Sequence, residues 1–360
     1  MTIVALSMAT GRTGVTRSSA SGALAKVCAW TSGQHVAKVC PGGTLHIAVI
    51  LGSTENAFFL KEGKGAQDAG RVFHVNVSVQ GARTYDPVSE RPVINAVIQG
   101  KPDAIIVDPT DAHALTDLFG QITRSGIAVF TDDSDTANPT LRVTQFGSDQ
   151  RQTGYLAGLA MAAALHGRGK VIALSASASN PIDSLRINGF KDAISKYPGI
   201  TDLQNQYCTT DPTRCAATAN AVMSANPNLN GIFGSGEPML KGAATAIRDL
   251  GKAGQVTLGG LDASPEEVHD LKLKVDDFLV MQQPYTIGYE SIRIAAEYLR
   301  GQSTSNSPLL PRGTKLIALP LHVRTSSVVA VNNMSFCPSV PGLICGLSND
   351  PKIQQWYYGG

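Results

Sequence analysis

Between Leu45 and about Val331 the chain alternates short β-branched runs with longer amphipathic stretches. This alternation restricts the available folds more than any other feature. Candidate strands are His46–Leu51, Phe73–Val79, Ala104–Val107, Ile127–Thr131, Val171–Leu174, Gly231–Phe233, Val256–Gly259 and Phe278–Met281. Phe73–Val79 alternates apolar with polar, as a half-exposed strand does. The others are mostly unbroken apolar runs, the pattern of strands covered on both faces. Helical segments are predicted over Ala57–Ala69, Val88–Ile98, Ala112–Arg124, Gln150–Leu165, Ile182–Lys196, Thr213–Ala225, Met239–Leu250 and Thr286–Arg300. Helix stops stand where they are needed, at Gly251, Gly301 and Pro198-Gly199. A βαβαβα order buries these faces by laying helices on a parallel sheet, so the expected class is α/β with doubly wound sheets.

The 360 residues exceed one typical domain, which predicts about two. With 43% hydrophobic residues a sizeable core is available, and with 16% charged residues and a net charge of +2 there is no cationic surface for a phosphate backbone. No partnership with nucleic acid is expected. No stretch approaches the ~20 apolar residues of a membrane span. The six cysteines fall in three local pairs, Cys28 with Cys40, Cys208 with Cys215 and Cys337 with Cys345, none with CxxC spacing. Disulfides closing such short loops fit an oxidising compartment. The pairing of Cys208 with Cys215 is favoured, because Asp211-Pro212 between them turns the chain. Residues 1–43 lack the basic start, apolar run and cleavage site of a signal peptide and read as a leader or disordered segment. Residues 332–360 read as an irregular tail.

In doubly wound sheets ligands sit at the carboxyl ends of strands. The residues expected there include Gly52–Asn56, Asp108–Asp111, Asp132–Asp135, Ser235–Glu237, Asp262 and Gln282-Gln283. Rich in carboxylates and amides and poor in lysine, this set suits a guest with many hydroxyls. Phe58 and Phe59 offer an apolar face to its carbon skeleton.

The residues now resemble a known family. Ile47–Phe59, Ala104–Asp111, Ile127–Asp133, Gly147-Ser148-Asp149 with Gly154, Arg186–Phe190, Gly259–Asp262 and Gln282–Gly288 are similar, in order over about 285 residues, to sugar-binding periplasmic proteins of the ribose-binding type. The resemblance implies a type I periplasmic binding fold, with two doubly wound parallel-sheet lobes joined by a three-strand hinge. The crossings would fall near 146–150, 280–284 and 319–325. The N-terminal lobe would be 44–147 plus 284–319, and the C-terminal lobe 148–283 plus 320–331. Ligand positions carried over residue by residue are Asn56, Phe58, Phe59, Asp108 and Asp133 in the first lobe, and Asp262 and Gln282 in the second. Asp132, Ser184, Arg186 and Gly236 complete the expected set. Ser134 and Ser184 stand where the ribose pocket has arginines, and Gly236 replaces an amide. The expected ligand is therefore a small polyhydroxylated molecule, a monosaccharide or polyol whose identity these departures from the ribose pocket leave open.

The function so implied is non-catalytic: capture of a sugar by hinge closure and delivery to an ABC transporter permease, in the periplasm or outside the cell. No cofactor or metal is expected. The acids Asp132, Asp133 and Asp135 lack the glycine and distant glutamate of a calcium loop, and the seven histidines show no paired-ligand spacing. Neither a GxSxG elbow nor a phosphate loop is present, which argues against an enzyme. A repressor core would need an N-terminal helix-turn-helix, for which 1–43 is too short. A chemoreceptor partner would use the same cleft.

Overall fold

The computed structural model describes residues 29–30, 38–39, 43–178, 180–302, 305–310, 312, 322–338, 345–347 and 351. Cys28 and Cys40 lie outside them, as does most of 1–43. Ahead of the main body, Ala29–Trp30 pairs antiparallel with Lys38–Val39.

The first sheet is built from β1 (Leu45–Leu51), β2 (Val75–Gly81), β3 (Ala104–Val107), β4 (Ala128–Asp132), β5 (Gln145–Ser148) and a late strand, β12 (His322–Thr325). The order is β12-β5-β4-β3-β1-β2, and every pair is parallel. The second sheet contains β6 (Arg168–Ser175), β7 (Gly199–Asp202), β8 (Gln206–Tyr207), β9 (Gly231–Gly234), β10 (Thr257–Leu261), β11 (Phe278–Met281), β13 (Val328–Val331) and β14 (Cys345–Leu347). Its order is β8-β6-β9-β10-β11-β13-β14, with β7 also on β6. Only β13 against β11 is antiparallel.

Nine helices connect the described strands: α1 (Ala57–Val72), α2 (Pro87–Gln99), α3 (Thr116–Arg124), α4 (Gln150–Ala164), α5 (Pro181–Ile194), α6 (Pro212–Ala225), α7 (Glu237–Asp249), α8 (Pro265–Lys272) and α9 (Pro284–Leu299). They cover both faces of each sheet, which is why β3, β4, β9 and β11 are buried along their whole length. Most start on a side-chain cap. Asn56, Asp86, Asp149, Asn180, Asp211 and Ser264 each accept a hydrogen bond from the first turn of the helix they precede.

The chain passes between the sheets three times, each time after a strand has ended. β5 leads through Asp149 into α4; β11 leads through Gln282-Gln283 into α9, which packs on α1; β12 leads through Ser326-Ser327 into β13. A strand that leaves the first sheet at its carboxyl end and runs straight on enters the second from that sheet's carboxyl side, so β13 is antiparallel to β11. The crossings are tied together by Ser148 Oγ to Thr325 Oγ1 (3.2 Å), Thr153 Oγ1 to Ser327 Oγ (3.3 Å) and Gln283 Nε2 to the Ser326 carbonyl (3.1 Å).

Several boundaries differ from those expected. The third crossing falls at Ser326-Ser327 rather than 319–325, because His322–Thr325 pairs with Gln145–Ser148 in the first sheet. Within 332–360, expected as an irregular tail, Cys345–Leu347 forms a strand on β13, and Cys337 is bonded to Cys345. The strand expected at Phe73 begins at Val75, because α1 runs on to Val72 and His74 takes a left-handed turn at φ 54°. The pairing of Cys208 with Cys215 is as expected.

Candidate binding site

The carboxyl ends of the two sheets face each other across a cavity of about 330 Å³. Its two central acids leave strands in the same way. Asp133 follows β4 and Asp262 follows β10, and each has a positive φ, 46° and 78°. A residue other than glycine adopts this region at a cost of roughly 1–3 kcal/mol, sustained only where the surroundings over-determine it. The determinants are visible at Asp133. Gln145 Nε2 donates to its carbonyl (3.0 Å), and Gln150 Nε2 donates to its Oδ1 (2.9 Å).

Gln150 opens α4 just past the first crossing and joins the polar groups of both lobes. Its Oε1 accepts from Arg186 Nε (2.8 Å), and its Nε2 also reaches Gln282 Oε1 (3.4 Å). Gln282 in turn donates to Asp262 Oδ1 (2.8 Å), and Arg186 Nη1 donates to the Ser235 carbonyl (2.9 Å). One buried network therefore runs from Asp133 through Gln150 and Gln282 to Asp262. Burial raises the pKa of both acids, and the nearby Arg186 guanidinium pulls each back toward the charged form.

An apolar wall faces these groups. Asn56 caps α1 through its Oδ1 (2.8 Å to Phe58 N), which brings Phe58 and Phe59 to the cavity edge. Phe59 stacks on Tyr85 with ring centroids 5.8 Å apart and an 11° interplanar angle, and meets Phe58 edge-on at 5.2 Å. Ile182, Met239 and Pro212 add apolar surface from the second lobe. Carboxylates and amides around one aromatic wall can bond hydroxyls while the wall covers a C–H face.

Of the expected residues, Asn56, Phe58, Phe59, Asp133, Arg186, Gly236, Asp262 and Gln282 line the cavity. Asp108, Asp132 and Ser184 do not. Asp132 ends β4 one residue before Asp133 and turns the other way, toward Glu62 of α1. Asp108 is fully buried behind Gly52 and Tyr85 and accepts from Ser134 N (3.1 Å). Ser184 points away because on α5 positions 182, 183 and 186 share the cavity face; its hydroxyl bonds back to the Asn180 carbonyl (2.9 Å). Asp135 ion-pairs with the buried Arg142, so the three acids of 132–135 serve three different partners.

Tyr85, Asn180, Asp183, Thr210 and Gln150 escaped the sequence reading. Asp183 is held by Ser175 Oγ, Ala176 N and Ser235 Oγ at 2.7–2.9 Å, which fixes the α5 start beside Arg186. Tyr85 and Asn180 follow β2 and β6, so reading past those strand ends as well would have found them.

Behind the aromatic wall lies a group of buried acids. Burial and the neighbouring charges of Asp132, Asp133 and Asp108 hold the Glu62 carboxyl well above its usual range. Burial pushes Asp132 to about 7 and, against two hydrogen bonds from Thr110, Glu90 to about 7.

With this geometry in view, known proteins offer a comparison. The chain is 24% identical over 260 residues to the D-apiose import binding protein of Actinobacillus succinogenes (72% of this chain, 83% of the relative). It is 25% identical over 259 residues to the ribose import binding protein of Salmonella typhimurium (71% and 85%). An ABC transporter solute binding protein from Agrobacterium vitis, solved with alpha-D-tagatopyranose, superposes with a TM-score of 0.77 at 28% identity, covering 88% of this chain and all of that one. Residues 47–303 match the periplasmic binding protein domain, and the chain belongs to that family of binding proteins rather than to a family of enzymes.

Proposed function

We propose that this protein captures a small sugar or polyol between its two lobes, outside the cytoplasm, and delivers it to the permease of an ABC importer. The observation that carries the reading is the single cavity on which Asp133, Asp262, Arg186 and Gln282 meet Phe58, Phe59 and Tyr85. The import roles in the names of the relatives, and the sugar in the Agrobacterium vitis structure, support it. The disulfides Cys208–Cys215 and Cys337–Cys345 support an oxidising compartment. In this reading Asp133 and Asp262 accept from ligand hydroxyls, Arg186 favours the charged form of both acids, and the rings cover one ligand face. Three chain crossings allow the lobes to hinge shut and exclude water.

The test is calorimetry and thermal shift against pentoses, deoxyhexoses, polyols and cyclitols. Saturable binding with unchanged ligand recovered afterwards is expected, and bound ligand raises stability by mass action. No shift with any member of the panel, or the appearance of a product, overturns the reading.

A further inference from the structure

The cleft continues past Tyr85 into a second cavity of about 230 Å³. The two cavities share Tyr85, Ala176, Asn180 and Thr210, so they adjoin along one wall. A water's share of liquid volume is about 30 Å³, so the second cavity admits a much larger group. It lies away from the hinge. Its second-lobe wall follows β6 and β8, at the opposite edge of the sheet from β13, and its first-lobe wall follows β2 and β3.

Both rims are fixed by bonds made without any ligand. The Cys208–Cys215 disulfide closes the loop carrying Thr209 and Thr210, and this loop is tied to β6 by Cys208 N to the Ser175 carbonyl and Thr209 N to the Ala176 carbonyl, both 3.0 Å. Across the cavity Thr110 is held by Glu90, its N to Oε2 at 2.9 Å, and Asp111 Oδ1 takes His113 N and Ala114 N at 2.8 Å.

The chemistry of this wall is selective. Its described lining holds no lysine, arginine or histidine, so it does not suit a phosphate or carboxylate. It presents hydroxyls, an amide and carboxylates. Thr110 gives its hydroxyl hydrogen to Glu90 and so offers only lone pairs, whereas Asn180 spends its Oδ1 on Asp183 N and offers its amide hydrogens. Hydroxyl and amide donors and acceptors, with the carboxylates of Asp86 and Asp111, thus surround a space beside the Tyr85 ring whose described lining holds no cationic side chain.

We infer that this cavity is a second carbohydrate subsite and that the preferred ligand is a disaccharide. One ring occupies the first cavity between the acids and Phe59, and the other lies at the mouth beside Thr110, Ser177, Asn180 and Thr209. The inference rests on the sugar-binding reading above and names its ligand class.

The experiment is calorimetry on the full chain with a panel of disaccharides, their constituent monosaccharides and matched aryl glycosides. At least one disaccharide is expected to bind about tenfold or more tighter than either constituent, since two or three extra hydrogen bonds reach that scale. Ser177→Tyr, which fills only the second cavity, and Asp111→Ala, which removes a carboxylate from it, are each expected to reduce this gain to less than about threefold while monosaccharide affinity holds. Two variants of different character guard against misfolding of either. Monosaccharides that bind with no disaccharide tighter, a gain that survives both variants, or an aryl glycoside that outbinds every disaccharide would each overturn the subsite and leave monosaccharide capture standing. If no saccharide of either size binds, the sugar-binding reading itself falls, and the subsite with it.

Discussion

Asp132 and Asp133 are adjacent and chemically identical, yet one is a core group and the other lines the cavity. Strand pleat separates them: β4 ends at Asp132, which turns toward Glu62, and the left-handed turn at Asp133 swings the next carboxylate into the cleft. Asp133→Ala and Asp262→Ala are each expected to weaken sugar binding by about 1–3 kcal/mol with the fold retained, the cost of leaving buried hydroxyl partners unmatched. Calorimetry with circular dichroism checks both parts. The acids behind the wall govern pH dependence. Glu62, Asp132 and Glu90 have folded pKa values raised above their unfolded ones, with Asp132 and Glu90 near 7. Their protonated forms favour the fold, so stability is full below about pH 4 and declines as pH rises through 7. Asp86, lowered to about 2 chiefly by hydrogen bonds from Ser89 and Thr84, acts oppositely and loses its contribution as pH falls from about 4 through 2. The melting temperature should therefore peak between about pH 4 and 5, and Glu62→Gln should flatten the decline toward pH 8. A melting profile that rises from pH 5 to 8 would contradict this.

At the scale of elements, two helix crossings hold the site. In the first lobe α1 and α9 approach so closely that a Cβ on Gly288 would lie 2.0 Å from the Glu62 carbonyl, and one on Gly65 would lie 2.1 Å from that of Tyr285. In the second lobe α4 and α5 repeat the device: a Cβ on Gly154 would lie 1.9 Å from the Arg186 carbonyl, and one on Gly189 1.9 Å from that of Arg151. These contacts are backbone to backbone and cannot yield by rotating a side chain. Gly154→Ala should cost about 1–3 kcal/mol or more in urea unfolding and also lower ligand affinity, since it displaces the turn that carries Arg186. Long, periodic elements were legible: α4, α7 and α9, and the strands β1, β3 and β11, fall within a few residues of the sequence reading. β7, β8 and β14 were not. They are two to four residues long and lie toward the edges of the second sheet, where the partner strand rather than residue preference supplies the order.

For the whole molecule the three crossings matter most. Each follows a strand end, so the hinge and the binding site share one level of the structure, and Gln150 and Gln282 belong to both. Under the proposed function, ligand bonded to Asp133 in one lobe and Asp262 in the other would draw the lobes together. Small-angle scattering with and without saturating sugar should record a smaller radius of gyration in the bound state; an unchanged profile with proven binding would refute hinge closure.

The α/β class, the order of the body and part of the cavity lining were determined by the sequence itself, because buried parallel strands must be continuous apolar runs and ligand groups must follow their ends. Tertiary structure alone decided which of two neighbouring acids faces the cleft, that Ser184 turns from it while Arg186 enters, and that Tyr85 from another loop completes the Phe59 wall. It also placed His322–Thr325 in the first sheet and Cys345–Leu347 in the second. These outcomes depend on strand register and on contacts between residues far apart in the chain, and no local pattern encodes either.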